Sequence, residues 1–427
     1  MAYEVVVIAV TFVSVAVLGF LVSRGQFEDL YIKARGPAPV SGQVALLTVG
    51  DEALYLWNPE DAQPEITPRA MLAELIRFCD AAGAEVVVLD VLMDRAEPGD
   101  DVLANAIRET GMPVVAAIRL VETDPQSHQL FAAGITPALQ DTVVPGFANL
   151  QEEEPWLFSE VTLVRKAPLT AHASTARMTG LWPMNMVGAE QSDDTVLPSL
   201  AMAGAFLKSQ GDATELSRRL ATGQSLGLPS LPSEELVLIN FRGREGQDGI
   251  PTAKASNALR ASGTSAMFGL LGSPQPIDVP PEMREALQGR VVLIGRVDGV
   301  ANESDRHATP YGFPIFGRAD MAGVRIQAQI LDTLLSGRHV RSVGGNVSWF
   351  LAVVLCGAVV LSARWLRDDV HVVVWGLASA VVVMLAAALF ELTDGLALEL
   401  GPPLGAALVT LTALHVYRWS VEESRRT

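Results

Sequence analysis

The sequence predicts an α/β domain, a mainly parallel sheet covered by helices, held outside a membrane between one transmembrane helix before it and three after it. Three observations lead there. A mean hydropathy of +0.30 is too apolar for a purely soluble chain of this length, 427 residues. The long charge-free apolar runs gather at the two ends of the chain. Between them, short β-branched runs alternate with helical periodicities, the rhythm of strand–helix–strand units whose strands pair in parallel.

The first run, Val5 to Val22, carries no charge for about eighteen residues, near the lower limit for a helix that crosses hydrocarbon. It has no basic n-region and is followed by Ser23-Arg24-Gly25-Gln26 instead of a small-x-small cleavage site, so residues 1–23 read as an uncleaved anchor in preference to a signal peptide. At the other end, Val347 to Ala363, Val370 to Phe390 and Leu396 to Val416 give three spans within residues 344–417. The third is the weakest, because Glu399 and Pro402-Pro403 move its entry toward Gly401.

Arginine placement orients the spans. Arg364 and Arg367 make one short loop basic, and Arg418, Arg425 and Arg426 do the same for the tail 418–427, whereas Glu391 to Glu399 has neither Lys nor Arg. Positive loops stay inside, which puts both termini in the cytoplasm and residues 24–343 outside. Arg338 and Arg341 adjoin a long translocated domain, where the rule has little force.

The chain's net charge is -17, and the outer segment alone holds about 40 Asp and Glu against about 26 Lys and Arg. Such acidity excludes a nucleic-acid binder, which needs a basic face to displace counterions. With Cys79 and Cys356 the only cysteines, neither a disulfide framework nor a cysteine-based zinc site can be built. No metal and no cofactor is expected.

Within the outer segment, Val44 to Val49 reads as a buried strand ending at Gly50-Asp51. Thr67-Pro68 opens a helix carrying Leu72, Leu75, Ile76 and Cys79 on one side and closing at Gly83. Glu85 to Leu89 is the next strand, stopping at Asp90. Asp101 starts a helix with Val102, Leu103, Ala106 and Ile107 inward, ended by Gly111 before the strand Val114 to Ile118. From about Thr123 to Pro232 the pattern loosens. Val161 to Val164 and Met184 to Val187 are candidate strands, a helix runs from Pro198-Ser199-Leu200 to near Lys208, and the rest reads as surface insertions. Strands return at Leu236 to Ile239 and Val291 to Ile294, and a helix from about Ala322 to Leu335, ended by Gly337, feeds the second span.

An ordered set of short motifs makes this segment recognisable: Gly50-Asp51-Glu52, Pro68-Arg69, Val88-Leu89-Asp90, Asp101-Val-Leu-Ala-Asn-Ala, Ile239-Asn240-Phe241-Arg242-Gly243, Gly289 to Gly295, Asp305 to Pro310, and Met321 to Ala328. In order and spacing they resemble the type-2 CHASE domain, the extracytoplasmic sensory domain of bacterial adenylate cyclases, histidine kinases and Ser/Thr kinases. The resemblance extends to the arrangement of one span before the sensor and three after. It implies a sensor in a bacterial inner membrane, passing a signal to a cytoplasmic output domain, a cyclase first and a kinase next. The segment from Tyr417 to Arg426 looks like the start of the charged linker that precedes such a domain. The sequence departs from the family in Gln327 and Gln329, where His and Asn are more usual, and in the weak aromatic-proline run before Arg69.

Six residues are candidates for a ligand site. Asp51 and Asp90 stand at the ends of parallel strands, where α/β sheets place ligand crevices. Arg69, opening a helix beside them, offers a planar fork for a carboxylate or phosphate, and the three are expected in one polar cluster. The other reading of these residues is a buried ion pair or a turn cap. Asp305, His307 and Thr309 follow the strand that ends at Gly295. A carboxylate beside imidazole can hold a metal or move a proton, and a satisfied loop histidine is the plainer alternative. No phosphate loop, nucleophile elbow or HExxH helix occurs, so the chain is not expected to be an enzyme.

Two functions are compatible with these features. One is a sensor for a small molecule or an extracytoplasmic protein; the other is a membrane-anchored scaffold that senses nothing. A homodimer is expected through the spans, where Gly357, Ala358, Ser362, Gly376 and Ser379 offer close approach and Cys356 lies beside the first group.

Overall fold

A computed structural model describes residues 26–58, 66–124, 129–132, 135–153, 163–176, 191–222, 224, 228, 236–263, 277–297, 305–311, 320–343, 345–363, 365–366, 368–398 and 400–426. The expected anchor helix of residues 5–22 and the candidate strand Met184 to Val187 lie outside the described residues. The chain divides into two compact units, Pro37–His339 and the segments flanking it.

The first unit is built on strands β1 (Val44–Val49), β2 (Val86–Leu92), β3 (Val114–Ile118), β4 (Val144–Phe147), β5 (Thr252–Lys254) and β6 (Val291–Arg296). They form one sheet in the order β5-β1-β6-β2-β3-β4, and every pairing in it is parallel. The central strands are apolar runs buried on both faces, which is why they are legible as short β-branched stretches.

Helices α1 (Asp51–Trp57), α2 (Arg69–Ala81), α3 (Asp100–Thr110), α4 (Leu200–Gln210), α5 (Ala255–Ala261), α6 (Pro281–Leu287) and α7 (Gly323–Ser336) cover the sheet. One face meets α1, α2, α3, α5 and α6 in a core that includes Leu47, Leu72, Ile76, Val87, Leu89, Leu103, Leu259 and Ile294. The other face meets α4 and α7. Gly204 of α4 lies so close to Val88 that a Cβ there would stand 2.8 Å from Cγ2. Ser199 caps α4, its Oγ accepting from the Met202 amide at 3.2 Å.

Two expectations need correction. Within the region from Thr123 to Pro232, the stretches read as surface insertions around the candidate strands and helix hold more order than expected: Leu120–Asp124, Gln129–Ala132, Thr170–Ala176 and Gln191–Pro198 form a second, four-stranded sheet, its strands too weakly patterned to read. Leu236–Leu238 pairs antiparallel with Leu163–Pro168 and so belongs to a side sheet, not the parallel one. The outermost strands of the parallel sheet instead are β5, only three residues long, and β4, which contains Pro145. Proline is tolerated there because an edge strand needs only one side of its hydrogen-bonding row.

Helix α7 is buried from Gly323 to Leu334, polar residues included. Its partners come from the stretch Asn240–Asp248. Arg242 Nε donates to Asp332 Oδ2 at 3.2 Å with both side chains fully buried, and Gln329 accepts from the Arg242 amide at 2.9 Å. Arg325 donates to both Asp248 oxygens, at 3.1 and 2.9 Å. A helix enclosed on all sides needs partners for the polar groups it carries, and the motif around Arg242 supplies them for Arg325, Gln329 and Asp332.

In the second unit, helices Gly345–Ser362, Asp368–Leu392 and Gly401–Arg426 pack together, with Val359, Ala407 and Leu411 buried between them. Ser362 joins the first two: its Oγ stands 3.0 Å from His371 Nε2 and accepts from Trp375 Nε1 at 2.9 Å. The expected small-residue dimer face is therefore split. Ser362 is taken up inside the chain, and Cys356 packs on Ala352 and Ala406 with Thr410 donating to its sulfur, whereas Gly357 and Gly376 face open space.

Candidate functional site

A cavity of about 410 Å³ opens beyond the carboxyl ends of β2, β3 and β4, where open parallel sheets place their ligands. Its walls include Asp90 and Leu92 from β2, Ile118 at the end of β3 and Arg119 just after it, and Ala148, Asn149 and Leu150 after β4. Gly323 and Gln327 of α7 close one side, and Asp305 and His307 another.

Glycine makes this junction possible at two positions. A Cβ on Gly295, the β6 partner of Asp90, would lie 2.6 Å from Val324 Cγ2, so only glycine lets the first turn of α7 rest on the sheet end. A Cβ on Gly323 would lie 2.5 Å from Asp305 Oδ1, so the Asp305 carboxylate sits directly over the start of α7. That placement sets a negative charge against the positive end of the helix dipole. Asp305 leads into a short antiparallel pair, β7 (Arg306–Ala308) with β8 (Asp320–Ala322), and β8 runs straight into α7. His307 Nε2 stands 3.5 Å from Asp305 Oδ1.

Asp90 is electrostatically the most unusual group of the site. Burial pushes its carboxyl up to about 7; the Asp305 charge adds to the rise and His307 opposes it. A carboxyl that holds its proton more tightly folded than unfolded contributes stability that is complete below its ordinary value and is lost as pH rises through about 7. Asp90→Asn, neutral throughout, is expected to remove that decline and to be the more stable form at about pH 8 by roughly 1–2 kcal/mol, a figure reduced because the site opens to solvent. Thermal denaturation of the full chain between about pH 5 and pH 8 measures it. A wild-type midpoint that keeps pace with the variant across that range would contradict the assignment.

The structure brings Asp90, Asp305 and His307 together and leaves the other three candidates elsewhere. Arg69 pairs with Asp100 at 3.1 Å, both side chains buried, and donates from Nη2 to the Leu92 carbonyl at 3.0 Å. The expected cluster of Arg69 with Asp51 and Asp90 does not form, for a simple reason of alternation. Leu89 of β2 points into the core with α2, so Asp90, next in the strand, points to the α7 side of the sheet. Asp51 starts α1 at the end of β1, separated from β2 by β6 and so roughly 10 Å away across the sheet. Thr309 is buried beyond β7 and is not among the cavity walls.

Three wall residues went unanticipated. Asn149 bridges both backbone groups of Leu120, accepting from its amide at 2.8 Å and donating to its carbonyl at 2.9 Å, which fixes the rim. Arg119 stands exposed at that rim. Gln327, 3% exposed, donates from Nε2 to the Ala148 carbonyl at 3.0 Å, while its Oε1 is buried with no hydrogen-bond partner. Its only trace in the sequence is the departure from the usual family residue. Among the described residues no three His, Cys, Asp or Glu side chains converge as a metal site.

The family model of the CHASE2 domain matches residues 5–362. The chain belongs to the CHASE2 family. No curated protein and no solved structure matches it. The CHASE2 domain is a sensory, non-catalytic domain found in signalling receptors. CHASE2 domains typically stand outside the cell membrane. Among the described residues one helix, Val370–Leu392, is long and apolar enough to cross a membrane, and only 6% of its most apolar window is buried. Helix Asn346–Ser362 is apolar but shorter.

Proposed function

We propose that this chain is the sensor part of a bacterial transmembrane receptor, its α/β unit outside the inner membrane and both termini in the cytoplasm. An occupant of the cavity, a small molecule or a segment of an extracytoplasmic protein, acts on the start of α7. The signal passes through the spans to a cytoplasmic output domain, a cyclase first and a kinase next. One observation carries the reading: α7 contributes Gly323 and Gln327 to the cavity wall and ends at Ser336, with eight residues, 337–344, between it and the apolar helix that begins at Gly345. A connection so short leaves little slack to absorb a movement.

One anchor before the sensor and three spans after it fit the arginine placement and the exposed apolar faces, which include Phe350, Leu377, Met384, Leu385 and Leu408. A phosphatase fused near Gly227 is expected to be active and one fused after Thr427 inactive; the reverse pattern would sink this topology. Two copies pair through the spans in this account, with Gly357 and Gly376 as the points of close approach.

Signalling itself is tested by joining a cyclase catalytic domain after Thr427. Asp90→Asn and Gln327→Leu are expected to shift cyclic-nucleotide output relative to the wild type. Output identical in all three would point to a scaffold.

A further inference from the structure

We propose that residues 393–398, the loop joining the last two spans, form a clasp that fastens both chain ends of the α/β unit, so that a shift of α7 reaches the helices Asp368–Leu392 and Gly401–Arg426 as well as Gly345–Ser362. Resting on the sensory reading of this chain, such a clasp adds a second route beside the direct link from α7 to Gly345.

The loop closes its own turn. Asp394 and Gly395 reverse the chain with φ of 49° and 125°, and the Gly395 amide donates to the Phe390 carbonyl at 3.0 Å. Thr393 Oγ1 donates to the Leu389 carbonyl at 2.7 Å and accepts from the Leu396 amide at 3.1 Å. A connection between two helices needs no more than this. Two further segments are nevertheless fastened to it, one from each end of the α/β unit. On the entry side, helix Gln26–Arg35 sets Tyr31 against Phe390 with ring centroids 5.5 Å apart, and the Tyr31 hydroxyl donates to the Leu398 carbonyl at 2.9 Å. The Arg35 guanidinium lies 5.4 Å from the centre of the same Phe390 ring and pairs with Asp394 at 3.7 Å, its side chain only 5% exposed. On the exit side, Arg341–Ser342 pairs in parallel with Leu396–Ala397: the Arg341 amide donates to the Gly395 carbonyl at 2.7 Å and the Val343 amide to the Ala397 carbonyl at 2.9 Å.

A two-residue pairing is too short to persist alone. Its persistence depends on the loop being held in place, and Tyr31 and Arg35 hold it. Phe390 and Ala397 are fully buried, so the Arg35 charge gains more from the ring than it would at an exposed site. Inside the α/β unit the same two chain ends are tied again, Ser41 to Asp332 near the end of α7. A shift of α7 therefore draws residues 337–344 against a loop that is continuous with two of the three C-terminal helices.

The experiment uses the full chain in lipid discs, with Cys79→Ala and Cys356→Ala, and with Arg341→Cys and Leu396→Cys at directly paired positions. Strands spaced by about 4.8 Å bring these Cα atoms within disulfide range, so the bridge is expected to close under mild oxidation. Arg35→Met removes the ion pair and the cation–ring contact without altering residues 341 or 396, and is expected to slow closure roughly tenfold. Tyr31→Phe loses only a hydroxyl, is expected to slow it about threefold, and takes the place of Arg35→Met in both measurements if that variant fails to fold. No closure in the parent, or closure at one rate in parent and variants, overturns the clasp. Hydrogen–deuterium exchange then follows transmission near pH 8, comparing the chain with and without Asp90→Asn, each with and without Arg35→Met. The change caused by Asp90→Asn is expected to extend from residues 337–362 to residues 393–404, and to stop at Ser362 when Arg35→Met is present. A change that reaches 345–362 but never 393–404, or that reaches 393–404 equally with Arg35→Met, overturns the proposal and leaves the sensory reading intact. No change beyond Ser336 contradicts the sensory reading itself, while the closure rates still decide the clasp.

Discussion

Arg242→Ala is expected to destabilise the α/β unit by about 3–5 kcal/mol, because it strands a fully buried carboxylate. Asp332 keeps the Ser41 donors, its Oδ1 accepting from the amide at 2.8 Å and from the hydroxyl at 2.6 Å, but it loses its cation. The loss also frees Ser336, whose Oγ accepts from Arg242 Nη2 at 3.3 Å near the end of α7. Denaturant unfolding of the full chain measures the cost. The double variant Arg242→Met with Asp332→Leu removes both charges and is expected to recover most of it. A double variant as unstable as Arg242→Ala would mean that the hydrogen bonds around the pair, and not the unpaired charge, set the cost.

Arg69→Ala is expected to cost a similar amount, about 3–5 kcal/mol, and to alter the cavity as well. Its guanidinium holds both ends of the loop between β2 and α3: Nη2 binds the Leu92 carbonyl, and Nε binds Asp100, whose other oxygen accepts from the Glu97 amide at 3.1 Å. Leu92 is a wall of the cavity, so releasing this loop disturbs the site without touching Asp90. Arg69→Lys keeps the charge but cannot reproduce the fork, and is expected to lie between wild type and alanine in stability. Equal stability of Arg69→Lys and wild type, by thermal denaturation, would show that charge alone suffices.

The parts of the fold legible in the sequence are those where burial forces a simple pattern. β1, β2, β3 and β6 are apolar on both faces, and α2, α3 and α7 carry their helical periodicity with Gly at the end. β5 escaped notice because three residues carry no periodicity, and β4 because Pro145 argues against a strand except at an edge. The strands of the four-stranded sheet between Leu120 and Pro198 lie outside the parallel sheet and mix polar with apolar residues, so no simple pattern marks them.

The site was half legible. Asp90, Asp305 and His307 could be named because each stands just past a strand end or in a distinctive motif. Arg69 and Asp90 are close in motif order but on opposite faces of the sheet: with Leu89 facing α2, strand alternation turns Asp90 away from Arg69. Asp100, its actual partner, lies at the start of the next helix in sequence, where an acidic residue reads as an ordinary helix-terminal charge. Gln327 belongs to a helix buried on every side, and no periodicity distinguishes a polar residue facing a cavity from one facing the Arg242 network.

The central claim is that the state of the cavity is carried by α7 into the spans. Hydrogen–deuterium exchange of the full chain in lipid discs, wild type against Asp90→Asn near pH 8, tests it most directly. The account predicts altered protection at the start of α7, Gly323–Gln327, continuing through residues 337–344 into the helix Gly345–Ser362. A change confined to the cavity walls, with exchange in residues 337–362 identical in the two proteins, would contradict it.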